Sequence, residues 1–402
     1  MSASESGWPT PALSDVCEVA PKDAALPPEA PFVPMDAVKV GERWPTYYEA
    51  RGTRSGVRAQ PGDVLFARIT PCLENGKLAQ VPSGLERVGG STEFIVVRPG
   101  HLVDWGYLYY WCMEPSVRSK AKALMAGATG RMRLGAADLR QFRIPLPPMD
   151  EQRRIVALLE DHLSRLDAAQ QGVLNALSRS SALRDAVLAT AVAEAARSTG
   201  VVIERLGSLA KVSSGLTPLK GNRAFYDNGT IPWITSGDLH QGLITRSTQF
   251  VTQEALDQTT LKIVPAGSLL IAMYGEGKTR GTTAELGIDA TTNQACAAIA
   301  VRDDALRPWV RLVLDANYGK LRRLAAGGVQ PNLSLGVVKA IEIPLLRPDL
   351  RDELLARRTA LDDAHSRLRE QLDVAHRRGI SLRRALLAAA FSGQLTAEAA
   401  AA

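Results

Sequence analysis

The chain has 402 residues, of which 46% are hydrophobic and 22% charged, an ordinary globular composition. That excludes a wholly disordered or fibrous polypeptide and leaves room for roughly two to four domains. A formal charge of +6 and a pI near 9.2 favour an anionic partner without identifying one, because an Arg- and Ala-rich coding bias gives the same balance.

The opening residues, Met1-Ser2-Ala3-Ser4-Glu5, lack the basic-then-apolar order of a secretory leader. The first segment, residues 1–148, is punctuated by Pro and Gly between short β-like runs such as Val64-Leu65-Phe66-Ala67-Arg68-Ile69 and Phe94-Ile95-Val96-Val97. Tyr107 to Met113 and Val117 to Met125 read as helix, so this segment is expected to be an α+β globule.

A long helix follows, expected within residues 149–198. Pro148 is the last proline before Pro218, Asp150 is a candidate N-cap, and Glu151 adds negative charge to the first turn. Apolar residues recur at Ile155, Leu159, Leu166, Val173, Leu177, Leu183 and Val187, mostly in steps of seven and four, the coiled-coil period. A helix of about 46 residues is roughly 70 Å long at about 1.5 Å per residue, too long to stand without a partner helix.

The third segment, residues 199–347, repeats the logic of the first, and the fourth, residues 348–402, repeats the second. Ile144-Pro145-Leu146 returns as Ile343-Pro344-Leu345, an offset of 199. The same offset relates Leu183-Arg184-Asp185-Ala186-Val187-Leu188 to Leu382-Arg383-Arg384-Ala385-Leu386-Leu387. Within the globules the offset varies, with Gln60-Pro61-Gly62-Asp63 answered by Pro265-Ala266-Gly267-Ser268. Ile155, Val173, Leu183 and Val187 therefore pair by repeat with Leu354, Leu372, Leu382 and Leu386, the expected seam of two mutually packed helices. Two unrelated surface helices would be the plainer alternative. Gly379 is the weak point of the second helix, costing about 1 kcal/mol against Ala. Two copies of one unit in one chain can pack about a pseudo-twofold axis, which suits a ligand with two half-sites, and duplex DNA is the commonest of these. Variable globules beside length-matched helices suggest interchangeable readers on a fixed ruler.

Motifs for chemistry fail one by one. Gly277-Lys278-Thr279 invites a phosphate-loop reading, but the glycine required five positions before Gly277 is Ala272. The cysteines at 17, 72, 112 and 296 form no Cys-x-x-Cys pair, which removes the common zinc and thiol-redox motifs and fits a reducing, cytoplasmic compartment. None of His101, His162, His240, His365 and His376 stands at metal-ligand spacing, and no metal is expected. No serine-hydrolase elbow, nuclease-like acidic cluster or Asn/Asp-Pro-Pro-aromatic tetrad for amine methylation is present, so the chain is not expected to be an enzyme. No apolar run is long enough to cross a bilayer.

Polar and basic loop residues remain. In the first globule these are Arg68, Asn75, Lys77, Arg131 and Arg133; in the second, Lys220, Asn222, Arg223, Lys278, Arg280, Asn293, Gln294, Gln330 and Asn332. Arg suits guanine and Asn or Gln suits adenine through two-pronged hydrogen bonds, so they form the candidate DNA-contacting set. Each one alone also reads as a solvated loop side chain.

Several runs carry a family likeness. Ile144-Pro145-Leu146-Pro147-Pro148-Met149-Asp150-Glu151-Gln152-Arg153-Arg154-Ile155 is similar to the junction into the first conserved helix of type I restriction-modification specificity subunits, and Ala389-Ala390-Phe391-Ser392-Gly393-Gln394-Leu395 resembles their C-terminal signature. Ile231-Pro232-Trp233-Ile234-Thr235-Ser236-Gly237-Asp238-Leu239, Ala272-Met273-Tyr274-Gly275 and Thr292-Asn293-Gln294 resemble recurring pieces of their target-recognition domains. The resemblance covers nearly the whole chain. It implies an α+β fold with two pseudo-twofold-related target-recognition domains, each reading half of a split DNA site, separated by an antiparallel coiled coil of two long helices. It implies two adenine-methyltransferase subunits docked on this scaffold, which bring S-adenosylmethionine and the methylating residues, and motor-nuclease subunits with ATP and magnesium could join them. The chain itself would bind no cofactor and be non-catalytic. The second junction, Ile343-Pro344-Leu345-Leu346-Arg347-Pro348-Asp349-Leu350-Arg351, departs from the pattern by lacking the Pro-Pro and Glu-Gln of the first. The alternative in a different class is a coiled-coil assembly protein whose globules bind proteins.

Overall fold

A computed structural model describes residues 7–127, 131–275, 279–324 and 332–401. The chain forms two compact units, Met1–Leu174 with Asp373–Ala402, and Asn175–Leu372. Each unit thus holds one globule together with a stretch of both long helices, and the boundary falls inside the helices rather than at their ends.

In the first unit, Cys17–Val19, Phe94–Pro99, Val64–Ala67 and Leu78–Gln80 form an antiparallel sheet in that order. Val64–Ala67 is buried along its whole length, which is why it reads as an unbroken apolar run instead of an alternating one. A second sheet has the order Glu49–Ala50, Pro31–Val33, Val88–Gly90, Val57–Ala59, with its middle pair parallel. The helix Trp105–Met113 starts where the Asp104 carboxylate accepts from Gly106 N and Tyr107 N at 2.8 and 3.1 Å, and it is buried from Gly106 to Cys112.

The second unit repeats this plan. Its main sheet has the order Ala210–Ser214, Cys296–Val301, Leu269–Ala272, Thr283–Leu286, Leu243–Ile244, and a second sheet again contains a parallel pair, Ile231–Ile234 with Thr291–Thr292. The repetition reaches single hydrogen bonds. Leu13 N donates to Phe142 O at 2.7 Å, and Leu206 N to Ile341 O at 2.8 Å. Tyr107 Oη donates to Pro145 O at 2.9 Å, and Trp309 Nε1 to Pro344 O at 2.7 Å. The repeated Ile-Pro-Leu therefore has a structural reason: its proline carbonyl satisfies the polar tip of a fully buried aromatic ring in each copy.

The long helices are Met149–Ala196 and Pro348–Ser392. Gly393, at φ +84°, ends the second, and Gln394–Ala401 begins a separate helix, so the helix stops short of Leu395. In the first unit Ile155, Leu159 and Leu163 form a stripe at four-residue spacing that packs in one core with Leu387, Ala390 and Phe391. Further along, Asp167 pairs with Arg383, and Gly379 faces Gln170, where an added Cβ would meet Nε2 at 2.6 Å. Numbers rise on one helix as they fall on the other, so the two stretches run antiparallel. Gly379 stands where Gln170 crosses. In the second unit Leu188, Ala191, Val192 and Ala195 share a core with Leu354, and Ser180 Oγ lies 3.2 Å from His365 Nδ1. Arg184 Nη1 lies 3.4 Å from Asp362 Oδ1, again with antiparallel numbering.

Two seam expectations are corrected. Leu183 and Leu382 are 66% and 51% exposed. The contact positions are the neighbouring Arg184 and Arg383, seven residues on from Leu177 and His376, and the next core leucines are Leu188 and Leu387. An arginine at a seam position lays its apolar stem along the contact and pairs its head with an aspartate, so an apolar stripe alone points one residue too early. Ile155 and Leu354 are buried, while Val173, Val187, Leu372 and Leu386 are half-buried.

The first junction is clamped by Gln152, which is fully buried. Its Nε2 donates to Leu102 O and Pro147 O, both at 2.9 Å, and its Oε1 accepts from Asp104 N at 2.8 Å. Arg351 stands at the repeat position, with Nε buried and without a hydrogen-bond partner among the described residues. The missing Glu-Gln of the second junction is therefore a real loss of a helix-to-globule clamp.

Candidate nucleic-acid interface

In each unit, loops from four parts of the chain meet at one end of the main sheet. In the first, Arg68 leaves the strand Val64–Ala67. Its N donates to Glu93 O and its O accepts from Leu134 N, both at 2.9 Å. Thr70 N donates to Met132 O at 3.0 Å, and Met132 N returns a bond to Thr70 Oγ1 at 3.1 Å. The Arg131–Leu134 segment is thereby fastened beside the Arg68–Lys77 turn, so Arg68, Arg131 and Arg133 share one surface.

That surface carries a carboxylate paired from within. Arg133 Nη2 and Nε donate to Glu93 Oε1 and Oε2 at 2.7 and 3.0 Å. The Arg133 guanidinium holds the Glu93 carboxyl below its usual range, and Arg68 adds to the effect. Arg68 Nε is buried and has no hydrogen-bond partner among the described residues. Asn75 and Arg131 are exposed, whereas Lys77 is half-buried with Nζ donating to Met35 O at 2.9 Å.

The second unit builds the same end from different side chains. Met273 N donates to Ala295 O at 2.7 Å, and Leu333 N to Met273 O at 3.0 Å, matching the Arg68 pair. Asn293 N donates to Ile234 O at 2.9 Å as Ser91 N donates to Val33 O at 3.1 Å. Asn293 Oδ1 accepts from Ala295 N at 3.1 Å, as Ser91 Oγ accepts from Glu93 N at 3.2 Å. Asn293 and Ser91 thus shape the same turn, and that bond occupies the Asn293 side-chain oxygen. Gly215 lies so close to Thr292 that a Cβ there would meet its carbonyl oxygen at 1.9 Å, which lets the Leu216 loop join the cluster through Leu216 N to Thr292 O, 2.9 Å.

Of the remaining expected residues, Lys220, Arg223, Gln294 and Asn332 are exposed and Arg280 is half-buried. Asn222 Oδ1 caps the short helical turn Arg223–Phe225 by accepting from Ala224 N at 3.2 Å, and Arg223 pairs with Asp227 at 3.1 Å. Lys278 and Gln330 lie outside the described residues. Asn293, Gln294 and Asn332 gather at the sheet end, while Lys220, Asn222 and Arg223 sit further along the Leu216 loop. Sequence reasoning missed Glu93 and Ser91. The signal for Ser91 was a second offset, 202, which relates Phe94–Pro99 to Cys296–Val301 and carries Ser91 onto Asn293, whereas Glu93 falls on Ala295 and had none.

Three of the four thiols are poor nucleophiles. Burial pushes Cys17 and Cys296 up to about 12 and Cys112 well above its ordinary value. Among the described residues no group of three or more His, Cys, Asp or Glu side chains could hold a metal ion, and no helix is long and apolar enough to cross a membrane.

A duplicated α+β chain, with a polar loop end on each lobe and a pair of antiparallel long helices against each, is a defined class. This chain belongs to the family described as the type I restriction modification DNA specificity domain, whose family model matches residues 5–179 and 199–352. It is 28% identical over 193 residues to the type I restriction enzyme EcoAI specificity subunit of Escherichia coli, covering 46% of this chain and 33% of that one. It is 25% identical over 256 residues to the Escherichia coli EcoR124I/EcoR124II specificity subunit, covering 61% and 60%. The chain therefore spans between a third and three-fifths of the length of these relatives. Among solved structures it resembles a chain from a study of complex assembly and conformational transition of the type I R-M system, with TM-score 0.73, 21% identity and coverage of 96% and 98%. It also resembles the HsdS subunit from Thermoanaerobacter tengcongensis, with TM-score 0.55, 21% identity and coverage of 96% and 97%. These two likenesses show the fold.

Proposed function

We propose that this chain is the DNA-reading specificity subunit of a type I restriction-modification complex. Residues 1–148 and 199–347 act as target-recognition domains, each meeting one half of a bipartite duplex site, and the two long helices space them. The observation that carries this reading is the duplicated loop end. The backbone bonds at Arg68 and Ser91 recur at Met273 and Asn293, while the exposed side chains beside them differ: Arg133 stands where the second copy has Asn332, and Thr92 where it has Gln294. A conserved frame with exchanged polar side chains is what two readers of different base sequences require. The family membership and the basic charge support the same reading.

The chain itself contributes no catalytic step. It binds and orients DNA for two adenine-methyltransferase subunits, which carry S-adenosylmethionine and the methylating groups, and motor-nuclease subunits could complete a cleaving assembly. The setting is cytoplasmic. The test is retardation of duplexes carrying a two-part site, with the chain alone and with its methyltransferase subunits. Binding should fall steeply as salt rises, because arginines and lysines displace counterions from phosphates. A flat salt response, or equal binding to every sequence, would overturn the proposal.

A further inference from the structure

At one set of repeat-related stations the two lobes meet the long helices through different chemistry. In the second unit an unbroken file of alternating charges runs from the helices into the sheet. Arg184 of the first long helix meets Asp362 of the second at 3.4 Å, and Asp362 meets Arg358 one turn earlier at 3.5 Å. Arg358 Nη2 donates to Asp315 Oδ2 at 2.5 Å, crossing from the long helix to the lobe helix Arg307–Ala316. Asp315 also accepts from Thr283 Oγ1 on a buried strand and lies 4.0 Å from Arg311 Nε. Arg311 continues to Glu285 at 3.2 Å and to Gly242 O at 2.9 Å. Every link is at most half exposed between Arg184 and Glu285. A cleft of about 920 Å³ opens beside this file, so apolar packing does not fill the junction at that point.

The first unit places other residues at the same stations. Met113 stands for Asp315, Leu159 for Arg358 and Leu163 for Asp362. Leu159 and Leu163 are 0% and 5% exposed in the core that also packs Met113. At these three stations the first lobe meets the helix through apolar contact, beside its Gln152 hydrogen bonds and an Arg43–Glu160 ion pair, whereas the second lobe, beside its own apolar core, meets it through directional ion pairs.

We infer that Asp315 is a positioning residue that fixes the second lobe on its stretch of the long helices, and so sets how strictly the gap between half-sites is measured. The inference rests on the reading of the chain as a two-half-site DNA reader. Asp315 touches no DNA in this account. It acts through Arg358 and Thr283, where a carboxylate joins the helix and the strand at once. Removing its charge leaves Arg358 and Arg311 without their shared counter-charge and lets the lobe shift, while Asn293, Gln294 and Asn332 on the neighbouring loops keep their side chains.

The test uses the full chain with its methyltransferase subunits and duplexes that carry both cognate half-sites with the native spacer, or with one base pair more or fewer. Asp315→Asn should leave the base preference of each half-site unchanged and reduce discrimination between spacers by about fivefold or more, within the coupling expected of charges in one network. Arg358→Gln should act in the same direction and keeps the test open if Asp315→Asn folds poorly. The triple variant Asp315→Met, Arg358→Leu and Asp362→Leu, which copies all three stations of the first junction, should restore discrimination. Unchanged spacer discrimination in both single variants would overturn the inference, as would an equal loss of binding on all spacers. A wild-type complex indifferent to any two-part site would instead sink the functional reading, and this inference with it.

Discussion

Arg133 grips Glu93 with two prongs, Nη2 at 2.7 Å and Nε at 3.0 Å, so the basic loop end of the first lobe is partly neutralised from within. The consequence is counter-intuitive. Glu93→Gln should tighten binding to random-sequence duplex, because it removes the carboxylate that Arg133 grips and frees a guanidinium for phosphate. The slope of log affinity against log salt should steepen by about one. Retardation assays at several salt concentrations would read it, and weaker binding of this variant would contradict the placement of the interface at this end.

The same pair has a pH signature. The Glu93 carboxyl is held low by Arg133, so its contribution to stability is complete above the ordinary carboxylate pKa and is lost as pH falls through the depressed folded value. Glu93→Gln should therefore lower stability in the neutral region, and its deficit against wild type should shrink as pH falls, which flattens the acid limb of the stability curve. Denaturant midpoints between pH 3 and 7 would check this, for example at about one-unit steps.

The seam is tested by two adjacent-looking leucines. Leu188 is 7% exposed and Leu183 is 66% exposed. Leu188→Ala should cost about 2–4 kcal/mol through a cavity in the core beneath the helices. Leu183→Ala should fall within about 0.5 kcal/mol of wild type. Equal costs in chemical denaturation would mean that the helix contacts are out of register with this description.

Gly379 offers a coupled pair. Ala in its place gains about 1 kcal/mol of helix propensity. That gain is offset because the new methyl would press on the Gln170 side chain. Gly379→Ala alone should be close to neutral, and Gly379→Ala with Gln170→Ala should be stabilised. Thermal melts of the four members of the cycle would show the coupling; strict additivity would mean that the two residues do not meet.

Gln152 ties the first long helix to its lobe with three buried hydrogen bonds. Gln152→Ala should cost about 2–3 kcal/mol, since three backbone groups lose their partner. Arg351→Met, at the repeat position without that clamp, should cost less. The same denaturation experiment separates them.

How much of this was legible beforehand depends on what each residue answers to. The Ile-Pro-Leu repeat was visible because its proline carbonyls serve one local purpose, accepting from Tyr107 and from Trp309. The long helices were visible through their period. The seam was misread at Leu183 and Leu382 because the contact positions there are arginines, and an arginine at a seam announces itself only once its aspartate is found across the helix pair. Ser91 and Asn293 escaped comparison because they share a hydrogen-bonding role without sharing a side chain. Asp315 was silent in the sequence, since Arg358 lies 43 positions away and Thr283 32 away. Asn75, Arg131, Gln294 and Asn332 remain exposed at or near the expected loop ends, whereas Lys77, Asn222 and Asn293 also hold the backbone in place.

The most direct measurement is selection of bound duplexes from a random library by the chain with its methyltransferase subunits, repeated with one heptad deleted from each long helix. Two short motifs at a constant separation are expected, with the separation shortened by about three base pairs in the deleted form, since seven helical residues and three base-pair steps each span roughly 10 Å. A single continuous motif, or a two-part motif whose gap ignores the deletion, would contradict the account.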